Sequence, residues 1–561
     1  MVESMFDQIQ SRLAEVVRLS ALKVCGSGVT VPAVEIDSPA HKEHGDLACN
    51  LALKLSSLLR KNPFEIAGML AAAVREQLAE SSLCDTVLSV EVFKPGFINF
   101  RLAPQVYRLL LADILAKGDS YGRTGFGQGK RVLVEFVSAN PTGPLTVAHA
   151  RQAAVGDVLV NVLNFTGHHA EREFYVNDGG NQIRTLGLSV QLRTKELFGV
   201  KIEYPEDCYQ GNYIGEMAAV FAQQKKMVSL ADADAVSFED YCSFAKDYLM
   251  EVIREDLRIF RVAFDNWTFE SQVSSQEKIA ATLDELRGKG FIYEQEGALW
   301  FASTRFGDDK DRVVRKSDGF YTYLAPDIVY HKNKYDRGFD LLVDILGPDH
   351  HGYIPRIKAA AQALGRDASA LEGLIIQLAT IFRDGKQLRM STRAGEFITL
   401  REVAEEVGTD AGRFFMLMRQ VSQQLEFDID LAKKQASDNP VYYVQYAHAR
   451  IASLLRRARE ESGLLPASSF SHIAEEAEIE LIKCLLAFPE YLNTCARDLD
   501  PFTLTRYVQE LAAAFHRFYD RCRVIDDNPA VAVERLALCQ ATRQVLFSSL
   551  KLLGITAPEK M

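Results

Sequence analysis

Apolar side chains recur every three to four positions near the start of the chain. Phe6, Ile9, Leu13 and Val16 share one face, with Asp7, Arg12 and Glu15 between them, which predicts an amphipathic helix over Phe6–Val24. A strand is predicted over Val31–Ile36, then a polar turn at His41–Asp46. Two helices follow, the second opened by Asn62-Pro63, a capping residue with proline in the first turn. Alternating runs Val87–Phe93 and Phe97–Phe100 flank the turn Lys94-Pro95-Gly96, so residues 1 to about 115 read as an α+β unit. From 116 to about 400 short apolar strands alternate with helices: Val132–Val137 into a helix reaching Val162, then Glu171–Asp178 and a helix from Gln182. Residues from about 200 to 300, charged and rich in long helices (Phe238–Phe260), read as an insertion between two halves. The second half resumes at Tyr321–Asp327, with a strand at Leu341–Leu346, a helix to Gly365 and a strand at Leu374–Thr380. Strands separated by helices imply a doubly wound parallel sheet. Beyond it, 401–438 reads as a connecting helical segment and 439–561 as an all-α unit, with Arg450, Arg456, Arg457 and Lys551 on its helices. The expected class is thus multidomain α/β, with a Rossmann-like central domain.

The chemistry concentrates where the strand Val132–Val137 turns through Ser138–Pro144 into the helix that opens near Thr146–His149. Helix N-termini present free N–H groups and the positive end of a dipole, so this junction suits a phosphate. Glu135, a carboxylate inside an apolar strand, requires a cationic partner. The glycines at 122, 125, 127 and 129, followed by Lys130, precede a strand rather than follow one and match no phosphate-loop spacing, so they read as a flexible linker.

Composition narrows the setting. At 561 residues the chain is long enough for three or four units, and its mean hydropathy of −0.06 is that of an ordinary globular protein. No stretch predicts a membrane helix, and the N-terminus does not read as a signal peptide. Nine cysteines without a CxxC pair suit reduced thiols and a cytoplasmic location. A net charge of −11 does not by itself suggest a nucleic-acid partner. The pairs His41/His44, His168/His169 and His350/His351 lack metal-site spacing, so no protein-held metal is expected.

Ala139-Asn-Pro-Thr-Gly-Pro-Leu-Thr-Val-Ala-His149 resembles the HIGH signature of class I aminoacyl-tRNA synthetases, in the form found in arginyl-tRNA synthetases. Thr146 stands where the first His is expected and Ala148 where Gly is expected. Gln387–Gly395 resembles the KMSK-type loop of that family; Arg389, Met390 and Ser391 match, while Thr392 replaces a lysine. His44–Asn50 and Lys94–Phe100 resemble the family's added N-terminal domain, which implies contact with the tRNA D-loop. Arg535–Met561 resembles its anticodon-binding helical domain.

The resemblance implies an arginine–tRNA ligase: ATP and L-arginine give arginyl-adenylate and pyrophosphate, and arginine passes to the 3′ end of tRNA-Arg. ATP would meet Asn140, Pro141, Thr142, Gly143, Thr146, Ala148 and His149, and the loop residues Arg389, Met390, Ser391 and Arg393. Lys130 or Arg393 would supply the cation missing at Thr392, Lys130 being the better placed. Glu135 and Asn140 would hold the α-amino end of arginine, Tyr323 and Asp327 its guanidinium, and His350 a further edge of the pocket. Mg²⁺ would accompany ATP, with no zinc and no organic cofactor, and the protein would act as a monomer. The competing readings are a nucleotidylyltransferase of the same superfamily, a cysteinyl enzyme with zinc ligands, and a non-catalytic tRNA-binding paralogue.

Overall fold

A computed structural model describes residues 5–26, 29–37, 39, 41–388 and 398–561. Its centre is a five-stranded, all-parallel sheet: β1 (Arg131–Glu135), β2 (His169–Val176), β3 (Asn266–Phe269), β4 (Leu341–Leu346) and β5 (Leu371–Ile375), in the order β5-β4-β1-β2-β3. Val132, Leu133 and Val134 of β1 and Leu342 and Val343 of β4 are buried, as central strands covered on both faces must be. Helix α1 (Val147–Phe165) carries the chain from β1 to β2. Helix α2 (Leu324–Asp336) precedes β4, and α3 (Tyr353–Ala363) links β4 to β5. Strand order reverses between β1 and β4, and in open parallel sheets ligands sit at the carboxyl ends of the strands beside that point.

Helix α1 can approach β1 closely because Gly156 faces Phe136: a Cβ there would lie 2.2 Å from the buried ring. The other side of α1 is tied to the rest of the chain by two buried arginines. Arg413 pairs with Asp157 of α1 at 2.5 Å and donates to the carbonyls of Phe260 and Leu553, which clamps the C-terminal tail against the sheet domain. Gly554 is required beside it, because its φ is +69° and any Cβ would collide with the guanidinium. Arg151 of α1 donates only to main-chain carbonyls, those of Gln377, Arg419, Gln420 and Gln423, and burial lowers its pKa to about 10.

The N-terminal unit packs helices Met5–Cys25, Leu51–Leu59 and Pro63–Ala79 on a four-stranded antiparallel sheet, and Asn62 caps the third helix by accepting from Phe64 N–H. The C-terminal unit is all helical, with Pro440–Ser462, Glu476–Leu486, Phe488–Asp498, Phe502–Arg521 and Pro529–Leu552. Lys483 reaches Asp46 at 2.7 Å, and Arg108 donates to the Ile473 carbonyl, so these two units touch directly.

Several sequence expectations change. The strand expected at Val31–Ile36 shrinks to Ile36–Asp37, because its partner Leu47–Cys49 is only three residues long. The expected insertion is interrupted: Asn266–Phe269 returns to the main sheet as β3, beside β2. Residues after β3 then form a separate antiparallel sheet of Ile292–Gln295, Ala298–Phe301 and Arg312–Arg315. The single strand expected at Leu374–Thr380 is two, since the chain leaves the main sheet after Ile375. Ala379–Arg383 pairs instead with Leu425–Asp428, a strand inside the segment expected to be helical. The glycine-rich segment is no flexible linker. Gly127 and Gly129 donate to the Thr166 and Gly167 carbonyls, and a Cβ on Gly127 would strike His168.

Gly156→Ala forces Phe136 or α1 to shift. It should cost about 1–3 kcal/mol of stability, as overpacking does, read as a lower denaturant midpoint; an unchanged midpoint would show that this contact relaxes freely.

Candidate active site

The carboxyl ends of β1 and β4 bring two acids together, because Glu135 and Asp344 are register partners on adjacent strands. Helix α2 lies across them. Its residues Asp327, Tyr330, His331 and Lys334 fall at helical spacings of three and four and so share one face. Lys334, almost wholly buried, places its ammonium 2.6 Å from Glu135 Oε2 and 2.8 Å from Asp344 Oδ1. This is the cation that the strand carboxylate required. Burial alone would lower the lysine pKa, but the attraction of Asp344, Glu135 and Glu173 outweighs it and the net shift is upward. Asp344 is correspondingly held well below the usual carboxylate range, its burial outweighed by Lys334 and His331.

The same network extends sideways. The Tyr330 hydroxyl lies 2.8 Å from Glu135 Oε2 and 2.7 Å from Glu173 Oε1, while Arg337 pairs with Glu173 at 2.6 Å. His331 sets Nδ1 2.8 Å from the Asp327 carbonyl and Nε2 2.8 Å from Asp344 Oδ2. Both ring nitrogens thus face acceptor oxygens. Glu135 and Asp344 thus share Lys334, Asp344 also meets His331, and Glu173 pairs with Arg337.

Two carboxylates are left over. Asp327, in the first turn of α2, and Glu270, just beyond β3, have no cation within ion-pair distance among the described residues; Glu270 accepts only from the Tyr175 hydroxyl at 3.0 Å. Burial, with the nearby charges of Glu135 and Glu270 and against the influence of His331, raises the Asp327 pKa to about 7. An acid so placed is short of one cation.

After β1 the chain turns sharply, with Val137 and Ser138 both at positive φ (68° and 38°), a strained conformation for a β-branched residue. The turn aims Ser138 Oγ back at Glu135 Oε1 (2.9 Å), where it also accepts from Tyr175 N–H. Asn140 is exposed and donates to the Gln182 side chain, and the Tyr213 hydroxyl donates to the Thr142 carbonyl beside Gly143. Pro141 is buried, and Thr146 is the N-cap of α1. Thr146 N–H donates to His149 Nδ1 at 3.0 Å, so the ring proton sits on Nε2. Burial lowers the His149 pKa to about 4 and keeps the ring a neutral donor. Ala148 occupies the first turn of the same helix.

Other expected residues fare differently. Tyr323 is 88% exposed and makes none of the cluster's contacts. It lies before the first turn of α2, and the tyrosines that enclose the acids are Tyr175, Tyr330 and Tyr353 instead. His350 is exposed, its ring edge-on to Tyr353 at 6.0 Å. Lys130 is a correction. It precedes the amino end of β1, about 16 Å from Glu135 at ~3.3 Å per strand residue, so it sits at the wrong end of the sheet. Arg389, Met390, Ser391, Thr392 and Arg393 lie outside the described residues. The chain resumes beside the first signature, where Val147 N–H donates to the Ile398 carbonyl and Leu400 N–H to that of Leu145.

Sequence reasoning passed over Tyr175, Glu270, Tyr330, His331, Lys334, Asp344 and Tyr353. The spacing Asp327-Tyr330-His331-Lys334 was a usable signal, and so was Asp344 inside an apolar strand. Nothing in the sequence marks Glu270. Among the described residues no group of three or more His, Cys, Asp or Glu side chains is arranged to hold a metal ion.

The family models agree with this architecture. The one described as "Arginyl tRNA synthetase N terminal domain" matches residues 6–102, "tRNA synthetases class I (R), catalytic domain" matches 110–428, and "DALR anticodon binding domain" matches 444–561. The arginine–tRNA ligase of Geobacter sp. (strain M21) is 47% identical over 536 residues, 95% of each chain. That of Bacillus subtilis (strain 168) is 44% identical over 561 residues, 99% of each. The solved Thermus thermophilus arginyl-tRNA synthetase has the same fold, with a TM-score of 0.74 at 22% identity over 98% of this chain and 100% of that one. With these family models spanning nearly the whole chain, and arginine–tRNA ligases more than 40% identical over 95% or more of it, the chain belongs to the arginyl-tRNA synthetase family.

Proposed function

We infer that this chain is an arginine–tRNA ligase, which forms arginyl-adenylate from arginine and ATP and transfers arginine to tRNA. The observation that carries the reading is the pair Asp327 and Glu270: two carboxylates with no cation among the described residues, beside a carboxylate network that already has its own. A guanidinium is a planar cation with five donors, suited to two such acids and the tyrosine hydroxyls around them. At the other end of the pocket Glu135 would take the α-ammonium, with Asn140 nearby.

In the first step a carboxylate oxygen of arginine attacks the α-phosphorus of ATP, and the bond to pyrophosphate breaks. In the second a ribose hydroxyl at the tRNA 3′ end attacks the adenylate carbonyl and AMP leaves. Charge builds on the phosphate oxygens during the first step. The neutral Nε2–H of His149 and the N-terminal N–H groups of α1 are placed to stabilise it without reorganising. Mg²⁺ is read as arriving with the triphosphate. The cation that stands in for the lysine missing at Thr392 is assigned to Arg393 or Arg389 rather than Lys130.

The C-terminal helices offer a surface for tRNA. Tyr442 and Tyr446 stack at 6.1 Å, His516 stacks on Tyr446, and Arg450 lies over Tyr446 and Tyr519. Aromatic faces beside arginine suit unstacked bases, and the anticodon loop is read as binding here and the D-loop at the N-terminal unit. All nine cysteines are free, which fits a reducing cytoplasm.

Arginine-dependent pyrophosphate exchange, with and without tRNA, followed by charging of tRNA-Arg, tests the whole reading; exchange driven equally by other amino acids would overturn it. Asp327→Ala removes one desolvated charge contact, worth about 2–5 kcal/mol. It should raise the arginine KM at least tenfold while the ATP KM holds within twofold. An arginine KM within twofold of the parent value would remove Asp327 from the pocket.

The pH dependence has a definite sign. Asp327 titrates near 7 in the free enzyme and must be ionised to meet a guanidinium. Arginine affinity should therefore fall as pH drops below 7 and level off above it, and calorimetry near pH 7 should show proton release on binding. In Asp327→Asn that pH step should vanish.

Tyr446→Ala and Arg450→Ala should each raise the tRNA KM by about tenfold, since a base–aromatic stack is worth about 1–3 kcal/mol, with pyrophosphate-exchange KM values for arginine and ATP unchanged. Equal charging kinetics in both variants would move the tRNA surface elsewhere.

A further inference from the structure

Lys334 is the most completely enclosed cation at the switch point, and neither of the steps above uses it. Its ammonium joins three elements: it stands on α2 and bonds at once to Glu135 of β1 and Asp344 of β4. The other acceptor positions of Glu135 are also largely taken. Oε2 receives Lys334 and the Tyr330 hydroxyl, and Oε1 receives Ser138 Oγ. A carboxylate has about four lone-pair positions. Lys334 fills one on Oε2 and Ser138 Oγ one on Oε1, the single Tyr330 proton is divided between Oε2 and Glu173 Oε1, and the position wholly free belongs to Oε1.

We propose that Lys334 is a positioning residue for arginine activation, which holds Glu135 as a carboxylate in one orientation with a single acceptor direction open to the α-ammonium of the amino acid. The proposal rests on the reading that Glu135 meets that α-ammonium. With Lys334 in place, Glu135 cannot swing toward the guanidinium end or pair with Asp344 through a shared proton. The amino acid then finds one fixed acceptor at its α-ammonium and two uncompensated acids, Asp327 and Glu270, at its side chain. The two cationic ends of arginine thus meet different environments, and its carboxylate is left facing the first turn of α1. Removing Lys334 leaves Glu135 with only hydroxyl partners in a pocket already crowded with acids. A shared proton or a changed rotamer then blunts the contact with the α-ammonium, whereas the guanidinium end, held by other side chains, is unaffected.

The test compares arginine with 5-guanidinopentanoate, which has the guanidinium and the carboxylate but no amine. Dissociation constants for both are measured on the full-length protein. Because Lys334→Met alone leaves Glu135 and Asp344 buried without their shared cation, the double variant Lys334→Met/Asp344→Asn, which removes one charge of each sign, is measured beside it, with circular dichroism to confirm folding. Glu135→Gln serves as the reference. The expected result is that arginine loses at least tenfold in affinity in the double variant and in Glu135→Gln, while 5-guanidinopentanoate stays within twofold of its parent value. A purely structural role for Lys334 would weaken both ligands alike. If Glu135→Gln lowers the preference for arginine and the double variant leaves it unchanged or increases it, the Lys334 proposal is wrong and the Glu135 reading survives. If Glu135→Gln itself leaves the preference unchanged, the reading of Glu135 fails.

Discussion

The active-site end of the sheet depends on one buried ammonium. Glu135 and Asp344 face each other across adjacent strands, and without a cation between them two like charges would be forced together in a poorly solvated place. Lys334 meets both and thereby ties α2 to β1 and β4. Every other polar contact in the cluster is arranged around that arrangement. Tyr330 lies between Glu135 and Glu173, Arg337 pairs with Glu173, and His331 lies between Asp344 and the main-chain carbonyl of Asp327.

The distribution of charge follows from this. Three acids have their own cations inside the protein, and two do not. Among the described residues the two are Asp327, where the helix α2 begins, and Glu270, where β3 ends. On the proposed reading, selectivity for a guanidinium has a physical source: the acids left without a cation among the described residues are those the ligand would meet. The high pKa of Asp327 expresses the same deficit before the ligand arrives.

Helix α1 couples this pocket to the rest of the chain. Its first turn carries His149, its middle packs Gly156 on Phe136, and its outer face is held by Arg151 and by Asp157 with Arg413. Through Arg413 the C-terminal tail at Leu553 touches the same helix that presents the phosphate-facing end. The helices read as the tRNA surface therefore stand on the framework that positions the chemistry.

Much of this was legible in the residues. Helical and strand periodicities placed α1, β4 and the N-terminal helices closely, because an element that buries one face must repeat its apolar residues at its own period. The motif around Asn140–His149 marked the anion-binding turn, since that turn needs its own local residues, and Glu135 announced that a cation must exist. Which cation it was could not be read, because Lys334 lies 199 positions away and reaches Glu135 only when α2 folds across the sheet. Proximity in sequence misled in the case of Lys130, which adjoins the strand but at its amino end, while strand direction put the pocket at the other. The same holds for Glu270 and Tyr175, which meet through the pairing of β3 with β2. Local spacing determined the elements and the turn into α1; the parallel order of the strands, with α2 folded across their carboxyl ends, decided which distant charges meet, because in a parallel sheet residues far apart in the chain become neighbours at the same end.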